Sequence, residues 1–209
     1  MNLLKNLYFL RRYLASFFTY RCVSCGKNVR GNCLCKNCAE KLLPAVIPPE
    51  NLSCAYYYDG PAKETVVCYK FGENYDFCRD TICDWLLSAF KKFSGEKIDI
   101  AVCVPSFKNE NSRLAELSKE FCAFAEIPFE PSVLKKIRET EKQHKLSYDE
   151  RRLNLVGAFK AESSVSGKTV LLIDDIYTTG STALECSNAL YEKGAEKVLV
   201  LTVLKTKLS

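Results

Sequence analysis

The sequence predicts an α/β fold in which helices cover both faces of a parallel sheet, with a small cysteine-rich unit ahead of it. Three strand-like runs carry this prediction, at 98–104, 169–173 and 197–204. Each run is mainly apolar, as strands covered on both faces are, and amphipathic helical patterns separate them. A fourth strand is predicted at 52–58, and four helices are predicted at 61–71, 77–93, 112–125 and 181–193. Ligands of such sheets bind at the carboxyl ends of the strands.

The composition is that of an ordinary globular protein. With 209 residues, of which 47% are hydrophobic and 26% charged, the chain can bury one sizeable core, and disordered or collagen-like classes are excluded. No apolar run approaches the roughly 18–20 residues of a membrane span. The net charge of +5 permits an anionic partner. Many of the 12 cysteines lie inside apolar segments, which indicates buried thiols and a reducing, cytoplasmic location.

Residues 1–20 are predicted to form an amphipathic N-terminal helix. Its apolar positions follow helical spacing, and basic residues stand between them. The apolar positions are Leu3, Leu7, Leu10, Leu14 and Phe17. A signal peptide is not expected, because the apolar run before Arg11 is short and no small-residue cleavage site follows. We favour packing of the apolar face on the protein over a membrane-surface or partner helix.

Residues 21–43 are predicted to form a zinc knuckle, because two C-x-x-C pairs flank a short turn. Two such pairs can place four thiolates around one tetrahedral Zn²⁺, and four thiolates leave no open coordination position, so the zinc would be structural. The predicted ligands are Cys22, Cys25, Cys35 and Cys38. Cys33 is a fifth candidate ligand, but it would form the less usual C-x-C pair with Cys35. An iron–sulfur cluster is the alternative to a zinc ion at this site. A linker at 44–51 then leads into the unit at 52–209.

The most informative stretch is VLLIDDIYTTGST at 170–182. A buried strand is followed by Asp174 and Asp175, a short polar loop and the start of a helix. A helix N-terminus suits a phosphate, whereas carboxylates suit ribose hydroxyls or Mg²⁺. The loop and the first helical residues would hold the phosphate through Thr178, Thr179, Gly180, Ser181 and Thr182. The stretch is neither a P-loop nor a dinucleotide motif.

This stretch resembles the phosphoribosyl diphosphate (PRPP) motif of type I phosphoribosyltransferases. The resemblance implies that Asp174 and Asp175 hold the ribose hydroxyls with Mg²⁺, while the loop holds the 5′-phosphate. Nearly the whole chain resembles the narrower ComF/GntX family, which is linked to natural competence. That resemblance rests on the paired C-x-x-C knuckles, on YYYDGPAKETVVCYKFGE around Lys70, on the run from Lys136 to Phe159, and on the PRPP motif.

One segment departs from the family pattern. In the family, the residues Arg-Gly-Phe-Asn-Gln precede the helix that is predicted here at 112–125, but this sequence lacks them at 110–114. The resemblance implies that diphosphate would bind in this region. Whether the protein converts PRPP to a product is therefore left open. Lys108 or Arg113 could substitute for the missing arginine. Lys70 is either a ligand contact or a surface lysine. The basic segment at 135–152 is a lid, a DNA-phosphate contact or a solvated loop.

Two functions follow from the resemblance. The first is binding of PRPP or a related ribose 5-phosphate with Mg²⁺ in DNA uptake, with pentosyl transfer from PRPP if the protein is an enzyme. The second is a non-catalytic adaptor that binds single-stranded DNA and a competence helicase or recombination partner. No residue identifies the acceptor of a transfer reaction.

Overall fold

A computed structural model of the chain describes residues 3–47, 50–72, 75–106, 112–140 and 154–207. Its N-terminal part consists of short elements around the cysteine pairs. In chain order they are α1 (Leu3–Ala15), β1 (Thr19–Arg21), β2 (Asn28–Arg30) and α2 (Lys36–Ala39). The strands β1 and β2 form an antiparallel pair. Within the described ranges no helix combines the length and the apolar character needed to cross a membrane.

The larger part of the chain alternates strands and helices, as the sequence predicts. Its strands are β3 (Leu52–Tyr57), β4 (Ile100–Cys103), β5 (Leu134–Lys136), β6 (Phe159–Ala161), β7 (Thr169–Tyr177) and β8 (Lys197–Lys205). Its helices are α3 (Gly60–Phe71), α4 (Tyr75–Phe90), α5 (Arg113–Ala125) and α6 (Ser181–Tyr191), with 3-10 turns at Lys91–Phe93 and Pro131–Val133.

Four of these strands form one parallel sheet in the order β3-β8-β7-β4. Side chains alternate between its faces, so that Leu171 and Ile173 of β7 pack in the core under α3, α4 and α5. Val170 and Leu172 belong to the opposite core, which α6 and the antiparallel β5–β6 hairpin cover. The predicted fold class, a parallel sheet with helices on both faces, is therefore confirmed.

Strand β7 is longer than predicted. The sequence places its end at residue 173, before the two acids, but pairing with β8 continues from Asp174 opposite Thr202 to Tyr177 opposite Lys205. The strand continues because its neighbour β8 is also nine residues long and supplies partners along that length. Asp174 and Asp175 thus lie within the strand, on a backbone fixed by the sheet.

Short extended segments cover both edges of the sheet. At the β3 edge, the Tyr57 N–H donates to the Leu43 carbonyl at 2.9 Å, and the Ala45 N–H donates to the Ala55 carbonyl at 3.2 Å. At the β4 edge, the Ala101 N–H donates to the Pro128 carbonyl at 2.8 Å. The beginning of the predicted linker at 44–51 is therefore hydrogen-bonded to the sheet. Covered edges do not offer unpaired backbone groups to other chains.

The prediction that the apolar face of α1 packs on the protein is wrong. Leu3, Leu7, Leu10, Leu14 and Phe17 are all exposed, whereas Tyr8 and Ala15 on the other side are buried. The reason is that the rest of the chain presents an aromatic ring and several carboxylates to this helix. Tyr8 packs edge-on against Phe124 with ring centroids 4.7 Å apart. The basic residues of α1 pair with acids of α4, of α5 and of the residue after α5, in the pairs Lys5–Glu126, Arg11–Asp80, Arg11–Glu120 and Arg12–Asp84.

Candidate functional site

A cavity of about 400 Å³ opens at the carboxyl end of the parallel sheet. All four strands contribute to it at or just after their ends, since Tyr58 follows β3, Val104 follows β4 and Thr206 follows β8. The sequence-predicted residues that line it are Lys70, Asp174, Asp175, Thr178 and Thr182. The structure therefore brings the acidic pair, one lysine and two loop threonines around a single space.

The acidic pair is held by one ion pair and one backbone hydrogen bond. Lys70, in the last turn of α3, forms an ion pair with Asp175. Asp174 accepts the Asp175 N–H at 2.8 Å through its Oδ1 atom. Burial, and after it the negative charge of Asp175, raise the pKa of Asp174 to about 8. A half-buried acid with a raised pKa in a cleft is typical of a functional site.

This raised pKa predicts that Asp174→Asn stabilises the ligand-free protein. The folded state holds a proton on Asp174 that the unfolded state releases near pH 4, so stability falls as the pH rises toward 8. Asparagine removes this penalty and keeps an oxygen that can accept the Asp175 N–H. We expect a melting temperature higher by roughly 2–4 °C at pH 8, equivalent to about 1 kcal/mol, and a smaller gain at pH 6. Thermal unfolding at both pH values measures it, and an equal gain at both would contradict the assigned cause.

Glycine is required at position 180 by the geometry of the loop. Gly180 has a φ of 80° immediately before α6, and a Cβ atom there would overlap the Tyr177 hydroxyl. The two neighbouring hydroxyls, of Thr179 and Ser181, are hydrogen-bonded to each other at 2.9 Å. Because these two hydroxyls engage each other and are not part of the cavity lining, they shape the loop in the ligand-free state. The N-terminus of an 11-residue helix follows the loop directly.

Sequence reasoning missed several residues of the cavity. They are Tyr58, Val104, Pro105, Lys136, Leu155, Phe159, Ile176 and Thr206. The N–H of Thr206 donates to the Tyr177 carbonyl at 3.0 Å. Its position just after the last strand, beside the strand with the acids, would have indicated it. Lys136 and Phe159 lie at the two ends of one run that carries the family resemblance, and the Lys136 Nζ atom lies 5.7 Å from the centre of the Phe159 ring.

Arg113, one of the two proposed substitutes for the missing arginine, does not line the cavity. Arg113 and Tyr69 instead hydrogen-bond each other's backbone carbonyl and so clamp the start of α5 to α3. Lys108 lies outside the described residues, as do 107–111 and 141–153, which include most of the predicted basic segment. At the edge of that segment, Arg138 donates to the carbonyls of Asn154 and Val156 at 3.1 and 2.8 Å.

A second candidate site is formed by Cys22, Cys25, Cys35 and Cys38. Their sulfur atoms all lie within 4.8 Å of one another, and a zinc ion about 2.3 Å from each sulfur needs separations of roughly 3.8 Å. The turn after Cys22 is closed by Gly26, with a φ of 73° and an N–H that donates to the Cys22 carbonyl at 2.9 Å. The donor set therefore fits a tetrahedral metal ion.

Cys33 lies outside this cluster. Its side chain is buried, and its thiol donates to the Thr81 hydroxyl on α4 at 3.2 Å. Within the cluster, the backbone N–H of Cys35 donates a hydrogen bond to the Sγ atom of Cys22 at 3.3 Å. Burial opposes ionisation of Cys22, but N–H groups of Cys35, Cys25 and Ser24 outweigh it and lower the pKa of Cys22 to about 6. Such N–H donors favour the thiolate that a metal ion needs.

Several known proteins are similar in sequence to all or part of this chain. The DNA utilization protein YhgH of Escherichia coli O157:H7 is 37% identical over 78 residues, covering 37% of this chain and 34% of that protein. This chain thus matches about a third of that relative's length. The competence protein ComFC of Bacillus subtilis (strain 168) is 28% identical over 207 residues, covering 97% of this chain and 85% of that protein.

Solved structures add only a distant likeness. Glutamine PRPP amidotransferase from B. subtilis matches 64% of this chain and 30% of its own, with 20% identity and a TM-score of 0.44. The phosphoribosyl transferase domain family matches residues 89–208, which include β4, β7, α6 and β8. The chain therefore belongs to the phosphoribosyl transferase domain family, as a member similar to ComF proteins.

Proposed function

We propose that this protein binds PRPP or a related ribose 5-phosphate, together with Mg²⁺, as part of DNA uptake. The observation that carries the proposal is the convergence of two carboxylates, two threonines and a helix N-terminus on one cavity. A phosphate suits the loop and helix end, and a diol suits the carboxylates 174 and 175. These are the two ends of a ribose 5-phosphate. The link to DNA uptake comes from the names of the relatives alone.

Charge balance in the site supports an anionic ligand that arrives with a cation. The carboxylates of Asp174 and Asp175 are ligands that Mg²⁺ prefers, and when bound the ion would neutralise the diphosphate of PRPP. In the ligand-free state Lys70 supplies the positive charge beside Asp175. Lys136, which also lines the cavity, has its pKa lowered mainly by burial, as expected where a cation lacks full hydration. An incoming phosphate or diphosphate would supply the counter-charge.

We further propose a structural role for the cysteine cluster, with zinc as the metal. Four thiolates fill a tetrahedral coordination sphere and leave no position for a substrate. The cluster lies between α1 and the main sheet in the chain, and its neighbour Cys33 packs in the same core as α4. Metal binding would therefore order the segment that connects the N-terminal helix to the sheet.

A second candidate function, binding of single-stranded DNA, is favoured by one feature of the β5–β6 hairpin. Lys135 and Lys160 are exposed and stand directly opposite each other across the two strands. Like charges in this position destabilise a hairpin unless an anion is close. Glu162 offers one carboxylate at 3.8 Å from Lys160, and a nucleic-acid phosphate would offer another. This face is separate from the acidic pair, so the two functions can be tested independently.

Calorimetric titration with PRPP and Mg²⁺, in parallel with a single-stranded oligonucleotide, tests both functions. We expect wild type to bind PRPP and the double variant Asp174→Asn/Asp175→Asn to bind at least roughly 100-fold more weakly, because amides cannot supply the anionic oxygens that would bind Mg²⁺ and the ribose hydroxyls. Asp99→Asn is the matched control. Asp99 accepts the Thr169 N–H at 2.9 Å, at the far end of β7.

The outcomes separate the two functions. No PRPP binding by folded, zinc-loaded wild type would contradict the first proposal. DNA binding that weakens steeply with salt, and that is lost in Lys135→Glu/Lys160→Glu but kept in the double aspartate variant, would support the adaptor. DNA binding that is unchanged by the lysine variants would contradict the role assigned to the hairpin.

A further inference from the structure

The exposed face of α1 and the turn after it carry a regular row of apolar side chains, which we name the seam. The residues of the seam are separated by four, three, four and three positions. They are Leu3, Leu7, Leu10, Leu14 and Phe17, and each is 48–71% exposed. This spacing is that of the a and d positions through which two helices pair side by side. The seam therefore has the pattern of a helix interface, although within this chain it faces outward.

The fold fixes this orientation. On the inward side of α1, Tyr8 is buried against Phe124 and its hydroxyl donates to Asp84 at 2.5 Å. Arg11 reaches both Asp80 and Glu120. Rotating the helix to bury the seam would break these contacts and leave buried carboxylates without their cation, which is costly. The exposure of the seam is consequently a property of the native state and not of a loosely attached segment.

The apolar patch is large for a monomer. Eight large apolar residues are exposed from α1 and the turn after it, because Phe9, Tyr13 and Phe18 adjoin the seam. At about 200 Å² for a fully exposed aromatic side chain and exposures of 59–66%, the four aromatic residues present on the order of 500 Å² of surface, to which the four leucines add. The largest patch of a typical monomer is about 300–600 Å², whereas one side of a standard interface buries about 800 Å². The patch has the size that one partner contributes to a stable complex.

We propose that the seam pairs with the seam of a second copy of this chain, forming a two-fold dimer through α1. A heptad row is complementary to itself, so a second copy supplies the matching surface. In a parallel pairing of the two helices, Leu10 at the middle of the row meets Leu10 of the other copy at the two-fold axis. Two heptads are short for a free coiled coil, but here α1 is already ordered by its contacts with α4 and α5.

Two further features favour a protein surface over a lipid surface. The three basic residues of α1 pair with acids of the same chain, whereas helices that lie on membranes use such residues to attract anionic lipids. A groove of about 410 Å³ is lined by Leu7, Leu10 and Leu14 of the seam on one side and by Phe18, Tyr20 and Phe77, among others, on the other. The seam thus forms one wall of a groove that can receive apolar side chains of the second copy.

Sedimentation equilibrium of the zinc-loaded, reduced protein tests the proposal. We expect wild type to dimerise with rising concentration, and Leu10→Glu and Leu10→Lys each to remain monomeric, since like charges would face each other at the two-fold axis. An equimolar mixture of the two variants should regain the dimer, because the opposite charges then meet. The matched control is Leu184→Glu, which alters a 47% exposed leucine on α6 and should dimerise like wild type. Circular dichroism verifies that each variant is folded.

Three results would overturn the proposal. The first is a wild type that remains monomeric at roughly 0.1 mM, where an interface of this area should associate. The second is a dimer that persists in both single Leu10 variants, which would place the association elsewhere. The third is a monomeric wild type that floats with phosphatidylcholine vesicles and loses this in Leu10→Glu, which would make a membrane the occupant.

Discussion

Replacing Cys38 with serine is expected to release the bound metal ion and to unfold the segment from β1 to α2. Cys38 is buried in the four-sulfur cluster. Without a metal ion, the segment relies on two strands of three residues each and on the packing of Cys33 and Leu34 against the main core. Structural zinc supplies about 10–16 kcal/mol of apparent free energy in zinc-finger peptides. We expect the zinc content to fall from about one ion per chain to near zero, measured by elemental analysis, with rapid proteolysis within 19–43.

Cys33→Ala is the matched control for this prediction. Cys33 lies five residues before Cys38 and is equally buried, but its sulfur contacts Thr81 and not the cluster. This variant should keep its zinc and lose only about 1 kcal/mol of stability from the lost packing. Zinc loss in Cys33→Ala, or zinc retention in Cys38→Ser, would show that the ligand set has been assigned incorrectly.

Replacing Arg11 with alanine should destabilise the protein by about 3 kcal/mol, because it breaks a largely buried ion pair. The side chains of Asp80 and Glu120 are only 11% and 9% exposed, and both pair with Arg11. Glu120 retains Arg79 at 3.3 Å, so most of the cost falls on Asp80. Burial raises the pKa of Asp80, and Arg11 opposes this rise. The loss should therefore be larger at pH 8 than at pH 5, where Asp80 can take up a proton, and urea unfolding at both pH values measures it.

Lys5→Ala on the same helix provides the comparison. Its partner Glu126 is 80% exposed, and exposed ion pairs contribute between about 0 and 1 kcal/mol. Equal losses of stability in the two variants would contradict the view that α1 is anchored through Asp80. A loss in Arg11→Ala that does not depend on pH would contradict the part assigned to this carboxyl.

The main sheet could be predicted from the sequence because its strands are covered on both faces. Continuous apolar runs such as 98–104 and 197–204, bounded by polar residues and separated by helical patterns, are typical of buried parallel strands. The strands β4 and β8 lie within or close to these ranges. The end of β7 could not be predicted in this way. Two aspartates after an apolar run resemble the beginning of a loop, and only the length of the neighbouring β8 keeps them in the sheet.

The orientation of α1 and part of the cavity needed the three-dimensional structure. A helical pattern shows which side of a helix is apolar, but it does not show what the rest of the chain presents to that helix. Here Asp80, Asp84 and Glu120 attract the arginines of α1. Likewise, the acidic pair is contiguous in sequence and could be recognised, whereas Lys136 and Thr206 reach the same cavity from distant positions. Whether these two residues reach the cavity depends on the order of the strands in the sheet, which could not be predicted from the sequence.

The order of the strands also governs when this protein can fold during its synthesis. β3 is the first strand of the sheet to leave the ribosome, yet it pairs with β8, which is the last. Until Lys197–Lys205 emerges, β3 and β7 have no strand between them, and apolar surface stays uncovered. Pairings between such distant parts of a chain form slowly and expose the nascent protein to aggregation. The sheet is thus completed only after β8 has emerged, whereas the cysteine cluster, contained within 22–38, can close while the strands of the sheet are still being made.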